Sequence, residues 1–265
     1  VTSGGGGGGG GASTDQFTVA PNLLKVIIIQ GETVTQTVSI TNKLSTVLTI
    51  SNLSADENLK RFVIFDEDSI TLLPGETKEI EVPFFARSGE KPEVYTGEIT
   101  LQSSGTTKKI NTIIEVKEKK PLFDVTVDLE KDKYSPGENV IAVIEVENFG
   151  ELRNIDIVLY YALKDFEGNI LTFKEESYAI ENYKLQIIGK LKIPSDVESG
   201  DYIFYAKASY GDVIATGSQV FSVGDIGFSP AILGKTFLYF LILIVAIGIL
   251  IVAIILYFTT RKKLN

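Results

Sequence analysis

The feature that most constrains this chain is an alternation of apolar and polar residues that occurs twice. Val34, Val38 and Ile40 alternate with Thr35, Thr37, Ser39 and Thr41. At an offset of 106 residues, Val140, Ala142, Ile144 and Val146 alternate with Glu145 and Glu147. Each run follows a Gly-Glu pair, Gly31-Glu32 or Gly137-Glu138, and ends on an asparagine, Asn42 or Asn148. A period of two gives one dry and one wet face, which is the signature of a half-buried β-strand. Similar runs occur in Phe123, Val125, Val127 and Leu129, and in Tyr202, Phe204, Ala206 and Ala208. Short strands at about ten-residue spacing, broken by Gly, Pro, Asn and Asp, predict antiparallel β-sandwiches.

The repeat sets the domain count. It predicts one sandwich over 16–118 and a second over 121–224, each about a hundred residues. A second correspondence places Val82-Pro83 and Gly97-Glu98 of the first against Ile193-Pro194 and Gly200-Asp201 of the second, as paired late strands. The connection Glu118-Lys119-Lys120-Pro121 is short and charged, which predicts a two-module rod with limited bending. Pro74-Gly75-Glu76 and Pro136-Gly137-Glu138 are turn chemistry: proline presets φ, glycine takes the positive-φ position, and a solvated acid begins the next strand.

Outside the repeats the chain changes character. Residues 1–15 contain the run Gly4 to Gly11, a flexible tether with a reach of about 20 Å. It has no G-x-G-x-x-G spacing and so no phosphate-loop reading. Residues 225–235 form a juxtamembrane linker. From 236 to 260 there is no charged residue, and at 1.5 Å per residue a helix of that length crosses the roughly 30 Å hydrocarbon layer. Phe237, Tyr239, Tyr257 and Phe258 are read as anchors, the tyrosines at the interfaces; Arg261, Lys262 and Lys263 open the tail 261–265. The positive-inside rule then puts the C-terminus in the cytoplasm and the N-terminus outside, in a cell membrane crossed once. No ionisable group lies within the span, which argues against transport or proton relay. The fold class expected is therefore all-β, with two tandem immunoglobulin-like antiparallel β-sandwiches and one C-terminal transmembrane α-helix. A start at Val1 without Met suggests a processed chain that has lost a secretory signal, or the C-terminal part of a longer protein.

Composition narrows the chemistry. The chain has no Cys, His, Trp or Met, so it offers no disulfide, no thiolate or imidazole metal ligand and no His-based nucleophile pair. With 34 acidic against 25 basic residues, three of the latter in the tail, the outer part is acidic and no nucleic-acid partner is expected. Asp66, Glu67 and Asp68, with Asp56-Glu57 nearby, are a candidate Ca²⁺ site, although they lack EF-hand spacing. Asn52-Leu53-Ser54 is an N-glycosylation sequon, with Asn52 the candidate site. Tyr160, Tyr161, Tyr178, Tyr183, Tyr202, Tyr205 and Tyr210 crowd the second module; an exposed patch of part of this set would suit a protein or glycan partner, and core and cross-strand packing explains most of them equally well. No cofactor and no catalytic residue is expected, because the plentiful carboxylates fall mostly on wet strand faces and in turns.

The phrases Pro74-Gly75-Glu76-Thr77-Lys78-Glu79-Ile80-Glu81-Val82-Pro83 and Ser135-Pro136-Gly137-Glu138-Asn139-Val140, with strands ending in Thr41-Asn42 and Glu147-Asn148, resemble the immunoglobulin-like modules of archaeal and bacterial surface proteins. Among these are the CARDB-type adhesion-related domains and S-layer-associated modules. The resemblance covers about residues 16 to 223 and implies binding, spacing or scaffolding units; it carries over no functional residue. In layout alone the chain is similar to bacterial WxL-interacting surface anchors and to the eukaryotic translocon-associated α subunit. The function expected is a non-enzymatic surface protein for adhesion or envelope scaffolding, in contact with the lipid bilayer and with a protein or glycan outside. The alternative is an accessory docking subunit of a membrane-embedded secretion, glycosylation or filament-assembly complex.

Overall fold

The computed structural model describes residues 15–65, 69–151, 154–181 and 183–224, and among these every regular element is a β-strand. The first half holds β1 (Phe17–Ala20), β2 (Leu23–Ile29), β3 (Thr33–Asn42), β4 (Leu48–Ile50), β5 (Asn52–Ala55), β6 (Ile70–Leu72), β7 (Thr77–Phe85), β8 (Glu93–Gln102) and β9 (Thr107–Lys117). The second holds β10 (Phe123–Leu129), β11 (Lys133–Tyr134), β12 (Asn139–Asn148), β13 (Ile155–Lys164), β14 (Ile170–Ile180), β15 (Lys184–Lys192), β16 (Gly200–Tyr210) and β17 (Val213–Val223). The tether, the acids Asp66, Glu67 and Asp68, and the whole of 225–265 lie outside the described residues. With them lie the linker, the 236–260 span and the anchors Phe237, Tyr239, Tyr257, Phe258, Arg261, Lys262 and Lys263. Among the described residues no helix is long and apolar enough to cross a membrane.

Each half is sandwich-like. In the first, the sheet β1-β3-β7 and the pair β4-β6 pack on the sheet β2-β9-β8-β5; in the second, β10-β12-β15 packs on β11-β17-β16-β13-β14. The alternation seen in the sequence fills the space between. Phe17, Val26, Ile40, Val82 and Ile114 are buried in one core, and Phe123, Ile144, Leu159, Phe204 and Phe221 in the other. Large side chains buried in this way each contribute about 1.5–3 kcal/mol by leaving water.

The repeat is followed closely in the early strands. β3 and β12 are both ten residues long at an offset of 106, and Phe17 lies opposite Asn42 as Phe123 lies opposite Asn148. The turns before them match as well. Glu138 N donates to Ser135 O, Gly137 takes φ of 79°, and the Glu138 carboxylate accepts the Ser135 N–H at 2.9 Å. Glu76 does the same for Leu73. The acid expected to be merely solvated therefore closes its own turn.

Two expectations are corrected. The sheets are not purely antiparallel, because β2 runs parallel to β9 and β11 parallel to β17. In each half the first strand leaves one sheet and crosses to the other, landing beside the last strand. In the first half the crossing is at Pro21, which has no N–H to give a ladder. The late strands also match at a different place. Ala86 N donates to Glu32 O as Ile193 N donates to Glu138 O, and Val116 opposes Glu93 as Val223 opposes Gly200. Ala86, not Val82, is thus the counterpart of Ile193, and Glu93, not Gly97, that of Gly200.

Candidate interaction surface

Strand β9 is buried on both faces. Ile110, Ile114 and Val116 point into the first core, while Ile113 and Glu115, on the opposite face, are also 0 % and 3 % exposed. What covers them is the second half. Val94 and Ile113 pack with Ala162, Phe166, Ile203 and Tyr205 in a third core, flanked by Leu23, Tyr160 and Val220. The two halves thus meet at a joint in which two sheets pack through their outer faces. A strand apolar on both sides needs cover on both sides.

Beside this joint sits a charged network. Ser218 Oγ donates to Glu115 Oε2 at 3.1 Å, and Lys25 Nζ donates to the Ser218 carbonyl at 2.5 Å while lying 3.8 Å from the same carboxylate oxygen. Lys117 Nζ is 3.2 Å from Glu115 Oε1 and 2.5 Å from Asp124 Oδ1. Burial works to lower the pKa of Lys117, but the Asp124 hydrogen bond and the Glu115 charge together hold it above the ordinary lysine value. One buried acid is thus shared between two cations from the first half and a hydroxyl from the second. Such an acid is tolerated only when paired. The network lines a cleft of about 210 Å³ that also takes in Ile27 and Val127.

At its far side the joint runs into an aromatic ladder. Tyr205 is 1 % exposed, and burial with the nearby Glu93 charge pushes its phenol pKa far up; its hydroxyl makes no hydrogen bond of good geometry. Lys164 Nζ lies 3.7 Å from the Tyr205 ring centroid, and desolvation lowers its pKa against the opposing pull of Glu93. Tyr160 packs edge-on against Tyr205 at 6.2 Å and stacks on Phe173 at 5.5 Å, with Lys207 Nζ 5.2 Å from the Tyr160 centroid. Phe173 is 59 % exposed, and Ile170 and Val158 are exposed beside it. Thus one face of the sheet β11-β17-β16-β13-β14 passes from a buried joint to an open apolar margin at β14. On the other face of β14, Tyr178 donates to Glu176, and burial with that hydrogen bond pushes its phenol up to about 12.

The residues picked from sequence scatter over this frame. Asn52 is exposed as the first residue of the edge strand β5, opposite Gln102. Asp56 accepts the Glu98 N–H at 2.8 Å, and Glu57 pairs with Lys60. Among the described residues no group of three acids is placed to hold a metal ion. The tyrosines do not form one patch: Tyr161 and Tyr202 lie in the second core, Tyr205 in the joint, and only Tyr183 and Tyr210 are exposed. The period of two explains the split, since Tyr160 and Tyr161 necessarily face opposite ways. Phe173 and Glu115 were missed. For Glu115 a signal was present, since it interrupts the apolar run Ile113-Ile114-Glu115-Val116.

No protein-family model and no curated protein matches the chain. Among solved structures, a Porphyromonas gingivalis protein of unknown function is similar over 77 % of this chain and 100 % of its own, at 12 % identity and a TM-score of 0.42. The CARDB domain of a Pyrococcus furiosus protein, in complex with di-metal ions, is similar over 40 % of this chain and 90 % of its own, at 14 % identity and a TM-score of 0.30. The sporulation control protein Spo0M of Bacillus subtilis covers 39 % of this chain and 50 % of its own, at 19 % identity and a TM-score of 0.32.

Proposed function

We propose that the chain is a non-enzymatic, single-pass surface protein that holds two immunoglobulin-like modules, welded into one unit, outside the cell membrane for adhesion or for scaffolding the envelope. The observation that carries the reading is the joint. Six apolar residues from both halves are buried where a flexible hinge would otherwise stand, beside a charge network centred on the buried Glu115. A rigid pair presents its outer faces at a fixed angle, which suits a display or spacing element. The uncharged run from 236 to 260 and the basic Arg261, Lys262 and Lys263 supply the anchor and its direction. The immunoglobulin-like and CARDB-type assignment of the modules belongs to the same proposal.

Protease treatment of intact cells tests it. Added proteinase K, which needs no basic residue, should trim the tether and the 225–235 stretch and release a resistant fragment of residues from about 15 to 224, while a tag placed after Asn265 stays protected until the cells are opened. Protection of the β-unit in intact cells with loss of the tag would overturn both the topology and the display role.

A further inference from the structure

Among the described residues strand β14 ends its sheet: it pairs with β13, and no described strand lies on its other side. Eleven residues long, it is exposed from Phe173 to Ser177, so a row of backbone N–H and C=O groups faces outward beside an apolar margin. Such an edge is normally blunted by charge. Here the charges are arranged to match themselves. If β14 meets a two-fold copy of itself with Glu175 on the axis, Lys174 of each chain falls opposite Glu176 of the other, and this happens twice. Phe173 falls opposite Ser177, a large side chain against a small one, on the face where Phe173 and Tyr160 stack. Residues facing each other across an antiparallel pair share a face, and the register Lys174–Glu176, Phe173–Ser177 and Thr172–Tyr178 satisfies that rule at every step.

We infer that β14 is a self-association edge: two copies of this chain join their sheets antiparallel through residues 172–178, with Glu175 at the dyad. The one unfavourable contact is Glu175 against its own copy. It is moderated by Lys207, which lies in the same row of the sheet beyond Tyr160. Ions of opposite sign opposite each other, with an exposed Phe ring moving out of water, outweigh that single repulsion. The inference concerns β14 alone and stands whether or not the chain is a surface protein.

Because the chain has no cysteine, single-cysteine variants of the full chain in detergent report one contact each. Facing residues in an antiparallel pair have Cα atoms about 4.5–5.5 Å apart, within disulfide range. Glu175→Cys should therefore give a covalent dimer under mild oxidation. Phe173→Cys and Ser177→Cys should each give no covalent dimer alone, since like positions are then roughly 14 Å apart, yet cross-link when the two variants are mixed. Asn52→Cys, on the exposed edge strand β5, is the control that gives no covalent dimer. By sedimentation, Lys174→Glu should weaken association about tenfold, and Glu175→Gln should strengthen it. A Glu175→Cys protein that melts like the parent, reacts freely with a thiol reagent and remains monomeric overturns the inference. So does cross-linking that is equal at all four positions.

Discussion

Asn42 and Asn148 show how one side chain fixes a strand end. Asn42 is 1 % exposed; its amide donates to the carbonyls of Thr46 and Leu73 at 2.9 Å each, and its oxygen accepts the Leu44 N–H. Asn148 repeats part of this, with its oxygen accepting the Gly150 N–H at 2.9 Å. The loop after each strand therefore folds around an amide rather than around water. Asn42→Ala leaves those loop groups without partners inside the protein, where each unmade hydrogen bond costs about 1–3 kcal/mol. A loss of about 2–3 kcal/mol in urea denaturation is expected, against under about 0.5 kcal/mol for the exposed Asn52→Ala. Equal losses at the two sites would show that Asn42 is not holding its loop. Gly217 makes a different kind of demand: a Cβ there would sit 2.4 Å from the Val125 carbonyl oxygen, so β17 approaches β10 closely enough that only glycine fits.

At the scale of the strand, the Glu115 network couples folding to alkaline pH. The Lys117 ammonium is held above its ordinary pKa in the folded state, so folding favours its charged form. That contribution is complete below the unfolded lysine value of about 10.4 and is lost as pH rises through the higher folded value. Between pH 9 and 11.5 the parent protein should thus lose more thermal stability than Lys117→Met does. Parallel pH profiles for the two would show that Lys117 is not the group involved. Much of the strand pattern was legible, because β3 and β12 bury one face and expose the other. The late strands were not, because the same dipeptides do different work in them. Pro83 lies within β7, which tolerates proline as an edge strand, whereas Pro194 follows the end of β15. Gly97 lies within β8, where a Cβ would meet the Leu59 side chain at 2.9 Å, whereas Gly200 opens β16. The joint was hidden for a further reason: a strand buried on both faces loses the alternation by which strands are recognised. Ile113 and Glu115 therefore read as irregularities of β9 instead of as its second contact.

For the whole unit the decisive question is whether the halves unfold together. Each has a core of its own and meets the usual condition for an independent transition. The third core sets them against that tendency. Ile113 is fully buried in it, against Ala162, Phe166, Ile203 and Tyr205 of the other half, and the Glu115 carboxylate loses its Ser218 hydrogen bond when the halves part. If the first half unfolds, the second is left with Ile203 and Tyr205 in water, so the two transitions are pulled into one. Calorimetry of the parent should give a single endotherm whose calorimetric and van't Hoff enthalpies agree. Ile113→Asp puts an unpaired carboxylate into the joint at a cost of about 3 kcal/mol or more while leaving the inward face of β9 untouched. Its endotherm should split in two, one component for each half. A parent that already melts in two steps, or a variant that still melts in one at lower temperature, would mean that the halves are coupled by something other than this contact.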